Sequence, residues 1–159
     1  MGRWENRHCG LLIYVFPHKT YETSPAMNCR ILKDIQHKGK RVLVRVDFNV
    51  PMDAKGRISD ETRIVKTIPT IRYLIDRGAR VILISHLGRP KSKKDVHLSL
   101  KPVSERLAKL LKQPVKFISE CTGPAAKNGT AGLKNGEVAL LENLRFYPEE
   151  EKNDAAFAQ

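Results

Sequence analysis

Apolar positions from residue 27 onward alternate between a strand rhythm and a helix rhythm. Residues 41–48 (RVLVRVDF) are a β-branched run stopped by Pro51 and by the turn at 53–56 (DAKG), and read as a strand. From about 61 to 77, Ile64, Ile68, Ile71 and Ile75 recur at i, i+4, i+7 and i+11, one apolar stripe of a helix. Asp60 is its expected N-cap and Gly78 its stop, while Pro69 inside the stripe predicts a kink or a split. Residues 79–85 (ARVILIS) are apolar without alternation, as a strand covered on both faces requires. A second helix is expected over 100–111, capped by Ser99, with Val103, Leu107, Leu110 and Leu111 facing inward. Residues 115–119 and 137–142 read as two further strands. Between them 123–134 has weak helical character, interrupted by Gly129 and Gly132, and 154–159 reads as the first turn of another helix.

The order strand, helix, strand, helix, strand, helix, strand predicts right-handed crossovers: an α/β fold with a parallel sheet and flanking helices. Ligands of such sheets bind beyond the carboxyl ends of the strands, which brings the loops 47–51 and 86–90 into view. Residues 1–26 hold no lasting period and read as a disordered extension, with Met27 as a second start. The apolar run 11–16 falls far short of the roughly 20 residues that span a bilayer. His18, Lys19 and Glu22 follow it at once and Ser24-Pro25-Ala26 is a poor cleavage site, so secretion and membrane attachment are disfavoured.

Composition narrows the class. Of 159 residues, 41% are hydrophobic and 29% charged, the balance of a soluble globular chain. Cys9, Cys29 and Cys121 form no Cys-x-x-Cys pair, which argues against a zinc site or disulfide framework and for structural cysteines in a reducing compartment. Lys and Arg outnumber Asp and Glu by 29 to 17, a formal +12 that favours an anionic partner. The densest cluster, 89–94, is short and has no aromatic neighbours on which bases would stack.

The two loops carry the chemistry. Arg45, Asp47 and Asn49 alternate along the end of a strand and share one face. A carboxylate beside an amide suits hydroxyl recognition, and equally suits a turn that ends the strand. His86-Leu87-Gly88-Arg89-Pro90 sets an imidazole and a guanidinium around a glycine. Arg89 can grip a phosphate or carboxylate bidentately, although a solvated loop with a chance histidine has the same composition. Arg63 falls in the first turn of a helix, where a cation opposes the helix dipole. A bound anion would offset that cost, and an exposed surface arginine is the other reading. Neither Gly-x-x-x-x-Gly-Lys-[Ser/Thr] nor Gly-x-Gly-x-x-Gly occurs.

Residues 41–51 (RVLVRVDFNVP) are similar to the first-strand motif of phosphoglycerate kinases. Residues 85–90 (SHLGRP) and 140–146 (LLENLRF) resemble two more stretches of that family, in the same order and spacing. The resemblance covers 27–159 and leaves 1–26 outside. It implies the Rossmann-like three-layer N-terminal domain of the family, the part that binds 3-phosphoglycerate, here incomplete and without the C-terminal nucleotide-binding domain. The implied reaction is reversible phosphoryl transfer from 1,3-bisphosphoglycerate to ADP, giving 3-phosphoglycerate and ATP in glycolysis. By the same match Asp47, Phe48, Asn49, Arg63, His86, Leu87, Gly88 and Arg89 bind substrate. His86 and Arg89 form the anion patch, the backbone of Leu87 and Gly88 shapes it, and Arg63 also acts in catalysis. Mg²⁺ is expected with ADP or ATP in the complete enzyme, and no cofactor or metal site in this segment. The resemblance further implies a cytoplasmic, monomeric complete enzyme and an inactive fragment. The rival reading is a non-enzymatic basic module that binds anions or nucleic acid. It draws on the +12 charge, but the singled-out cations gather at strand ends and not in a stripe interleaved with aromatics.

Overall fold

Short β-branched and leucine-rich runs build one all-parallel sheet. The computed structural model describes residues 11–15 (backbone only), 31–91 and 95–157. Its strands are β1 (Leu11–Val15), β2 (Arg41–Arg45), β3 (Arg80–Ile84), β4 (Val115–Ile118) and β5 (Val138–Leu141), in the order β1-β2-β3-β5-β4. The crossovers are α1 (Thr62–Asp76), α2 (Lys101–Leu111) and α3 (Gly123–Ala131). A single 3₁₀ turn at Leu144–Phe146 leads from β5 into a short α4 (Pro148–Glu151).

Three layers result. Val42 and Val44 of β2, Val81 and Leu83 of β3 and Leu140 of β5 meet Ile64, Ile71 and Leu74 of α1 and Val103 and Leu107 of α2 in the main core. Ile82, Ala139 and Leu141 alternate to the other face and meet Ile118 and Leu133 in a smaller cluster beside α3. Covering on both faces is why β3 and β5 read as unbroken apolar runs. The α/β class, the parallel sheet and its flanking helices are as the pattern predicts.

Four details differ from the sequence reading. The reading of 1–26 as an extension without structure is corrected at Leu11–Val15, which lies parallel beside β2 with Leu11 opposite Arg41 and Val15 opposite Arg45. So short an apolar run shows no period, yet it matches the usual strand length of about 5–6 residues. The rest of that stretch, with Cys9 and the 24–26 site, lies outside the described residues, as do Met27 and Cys29 after it. α1 continues unbroken through Pro69. The proline forfeits one backbone bond, and full burial of Ile64, Ile71 and Leu74 outweighs that loss. The residue flanking α1 is Glu61, one beyond Asp60, but the Asp60 carboxylate still accepts the Thr62 N–H at 2.8 Å. Finally, Gly129 is no interruption: a Cβ there would sit 2.7 Å from Ile118 Cδ1, so the glycine lets α3 lie close on β4. The turn expected over 154–159 forms in part, with the Phe157 N–H on Asp154 Oδ1 at 2.9 Å, and α4 precedes it.

Candidate anion site at the carboxyl edge of the sheet

Three loops leave the carboxyl ends of β2, β3 and β5, and buried polar groups sew them together. The Phe48 N–H donates to Ser85 Oγ, and that hydroxyl donates to Val46 O, each at 2.9 Å. The Gly88 N–H donates to Asn49 Oδ1 at 2.9 Å, joining the first loop to the second. Gly88 has φ +61 and would bring a Cβ within 2.8 Å of Leu98, so only glycine fits this turn. Asn143, with no exposed surface, joins the second loop to the third. Its Oδ1 accepts from the N–H groups of Leu87 (3.2 Å) and Arg145 (3.0 Å), and its Nδ2 donates to Leu87 O (2.7 Å) and Leu98 O (2.9 Å). Every hydrogen-bonding site of that carboxamide is used.

On this frame sit the charged groups. Asp47 accepts the Asn49 N–H on Oδ1 at 3.1 Å and Arg63 Nη1 on Oδ2. Arg45 Nη2 donates to Glu150 Oε1 at 2.5 Å, and Arg145 Nε lies 3.7 Å from Glu150 Oε2 and 3.3 Å from Glu151 Oε1. His86 is half-buried among them. Burial pushes its imidazole below its ordinary value, and the nearby Arg145 and Arg45 act in the same direction against Asp47 and Glu150. The ring is therefore neutral at pH 7 and becomes a cation more readily once an anion lies beside it.

The structure brings together Asp47, Asn49, Arg63, His86 and Gly88. Phe48 and Leu87 turn their side chains into the core, at 0% and 1% exposure, so each meets this edge through backbone alone. Asn49 spends its carbonyl on Gly88, which leaves its Nδ2 to donate outward. Arg89 is exposed and, among the described residues, makes no hydrogen bond or ion pair. Lys93 and Lys94, in the same basic cluster, lie outside the described residues. The sequence reading set Arg45 on one face with Asp47 and Asn49 without giving it a role, and it missed Arg145 and Glu150 as parts of this edge and Ser85 and Asn143 as its struts. A signal for Arg145 was present, since 140–146 was already singled out and an arginine there follows a strand directly.

A separate cleft of ≈ 440 Å³ opens beyond β4 and β5, between Pro102, Phe146 and Tyr147. Its carboxylates are engaged: Glu120 accepts the Tyr147 hydroxyl, and Glu142 accepts Ser99 Oγ (2.8 Å) and the Leu100 N–H (2.9 Å) at the start of α2. The Cys121 thiol donates to Glu142 O at 2.8 Å, a structural use that agrees with the sequence reading. Among the described residues no group of three or more His, Cys, Asp and Glu could hold a metal ion, and no helix is long and apolar enough to cross a membrane.

A parallel α/β domain with arginines and a histidine gathered at the carboxyl edge of its sheet is of the class whose ligands lie beyond the carboxyl ends of the strands. Comparison with known proteins gives the particular family. The sequence pattern of the phosphoglycerate kinase family matches residues 32–159. Phosphoglycerate kinase of Moorella thermoacetica is 59% identical over 128 residues, covering 80% of this chain and 32% of that protein. The Borreliella afzelii enzyme of the same name is 56% identical over 134 residues, covering 84% and 34%. Among solved structures, phosphoglycerate kinase from Pyrococcus horikoshii superposes with TM-score 0.70 at 41% identity, covering 75% of this chain and 29% of that one. The Coxiella burnetii enzyme gives TM-score 0.69 at 35% identity. This chain belongs to the phosphoglycerate kinase family, and it spans about a third of the length of the relatives it matches.

Proposed function

We propose that this chain is the substrate-binding part of a phosphoglycerate kinase, the enzyme that moves the acyl phosphate of 1,3-bisphosphoglycerate to ADP, giving 3-phosphoglycerate and ATP. One observation carries the reading: Asp47, Asn49, His86 and Arg145 from three loops and Arg63 from the start of α1 converge at the carboxyl edge of one sheet, a patch fit for a ligand bearing phosphate and carboxylate. In this reading Arg89, His86 and Arg145 bind the anionic groups. Asp47 and the Asn49 amide meet the hydroxyl and carboxylate end, and Arg63 stabilises charge on the group in transit. ADP or ATP, with Mg²⁺ as part of that substrate, is held by a C-terminal domain, and closure of the two halves excludes water. No residue described here is assigned to the nucleotide or its metal. The complete enzyme is cytoplasmic and monomeric, and the 159 residues alone bind the glycerate ligand without turning it over, because the groups that position the nucleotide belong to the other domain.

The test is calorimetric titration of the chain with 3-phosphoglycerate at fixed ionic strength, alongside Arg63→Ala and Arg89→Ala. Saturable binding weakened in both variants is the expected result. Tight, strongly salt-dependent binding of a DNA duplex with none of 3-phosphoglycerate would point instead to a nucleic-acid module.

A further inference from the structure

We propose that Glu150 is an internal counter-ion of the anion patch: its carboxylate holds Arg45 and Arg145 while the patch is empty, and so keeps small inorganic anions off them. The inference rests on reading the patch as an anion site. α4 carries three successive glutamates. Glu149 is exposed and Glu151 keeps 62% of its side-chain surface, whereas Glu150 keeps only 9% and is turned inward. A carboxylate so deeply placed needs cationic partners, and it has two of unequal quality.

The clasp on Arg45 is a direct hydrogen bond of 2.5 Å. Arg145 is held by charge only. Its Nε is 3.7 Å from Glu150 and 3.3 Å from Glu151, yet this buried N–H makes no hydrogen bond. An oxyanion arriving at Arg145 offers the directional bond that the glutamates do not, and Glu150 can then remain with Arg45. The surroundings are balanced before anything binds: His86 feels Arg145 and Arg45 on one side and Asp47 and Glu150 on the other. A lone inorganic anion must therefore compete with a carboxylate already in place. A ligand with a second anionic group gains further contacts at Arg63 or Arg89 and overcomes that competition, which makes Glu150 a determinant of selectivity.

Glu150→Gln keeps the shape of the side chain and removes its charge. Titration of the whole 159-residue variant with inorganic phosphate at fixed ionic strength should show affinity raised roughly tenfold, and a smaller gain for 3-phosphoglycerate. Glu150→Asp, charged but shorter, should gain less than Glu150→Gln, and it carries the same test if the glutamine variant does not fold. A readout without ligand is the titration of His86 by NMR. Loss of a carboxylate that favours the imidazolium should move its midpoint to lower pH in Glu150→Gln. Arg63→Ala and Arg89→Ala separate the two readings. If they leave 3-phosphoglycerate binding untouched while Glu150→Gln still tightens phosphate, the substrate assignment falls and the counter-ion role stands. Phosphate affinity unchanged or lowered in a folded Glu150→Gln, or a His86 midpoint that does not move, overturns the counter-ion role.

Discussion

Arg63, in the first turn of α1, donates to the carboxylate of Asp47 in the loop after β2. The pair neutralises a cation that the helix dipole disfavours at that end. The family resemblance gives both members of the pair substrate binding, and Arg63 catalysis as well. To act on a transferring phosphoryl group, Arg63 has to exchange Asp47 for it.

That exchange separates two arginine variants of the complete enzyme. Arg63→Ala should lower kcat about a hundredfold as well as weakening substrate binding, because the lost donor also serves charge that develops in transit. Arg89→Ala, at an exposed arginine with no partner among the described residues, should raise KM with kcat near wild type. Both remove one positive charge, so bulk electrostatics cannot produce the contrast. Steady-state kinetics at fixed ionic strength decides it, and raised KM alone in both would make Arg63 a binding residue.

His86 should give the chain a stability that depends on pH. Burial, then Arg145, hold the folded imidazole below its ordinary 6.5. The unfolded chain thus takes up the proton first as pH falls. The neutral ring is no burden above that value, and stability is lost as pH drops through it toward the folded pKa. His86→Gln should flatten the dependence of the urea midpoint on pH on the acid side of 6.5. Phosphate should bind more tightly in the same range, since an anion beside the ring favours its charged form. An equally steep dependence in the variant would assign the effect to another group.

Asn143 should be among the most costly polar residues to replace. Asn143→Leu leaves the Leu87 and Arg145 N–H groups and the Leu87 and Leu98 carbonyls without the partner they share. An unfolding free energy lower by roughly 3 kcal/mol is expected from urea denaturation. A change below about 1 kcal/mol would mean that the loops find other partners.

Gly129→Ala should destabilise despite alanine's better helix propensity. The added methyl meets Ile118 Cδ1 at 2.7 Å, on a side chain only 6% exposed. Crowding of about 1–3 kcal/mol set against a gain of about 1 kcal/mol leaves a net loss near 1 kcal/mol. Ile118→Val removes the clashing carbon, so the double variant should recover most of it. A stabilised single variant would show that Ile118 yields freely.

The fold was legible where one property repeats along the chain. Apolar spacing placed α1, α2 and β2 to β5 within a few residues, because burial on a sheet or helix face imposes a period. β1 escaped because so short a run cannot show one. The site was legible in part. Asp47, Asn49, Arg63 and His86 stood out through their place at strand ends and in the matched stretches. Asn143 and Ser85 did not, since a buried group that satisfies backbone distant in sequence leaves no local pattern. Glu150 looked like one of three exposed glutamates, and only the turn of α4 sets it apart. The matched motif also treated Phe48 and Leu87 like their neighbours, and could not tell a residue that offers backbone from one that offers a side chain.

The strand order β1-β2-β3-β5-β4 sets β5 between two strands made before it. As the chain leaves a ribosome, β4 emerges with no neighbour to pair with, because β3 bonds to β5 and not to β4. Two apolar edges must then wait for Val138–Leu141, a delay in which a nascent chain is open to chaperones and to aggregation. The loop that carries Asn143 and Arg145 follows β5 directly, so the strand that joins β4 to β3 also delivers the strut and a further cation of the anion edge. Joining β4 to the sheet and bringing in this side of the site are one event.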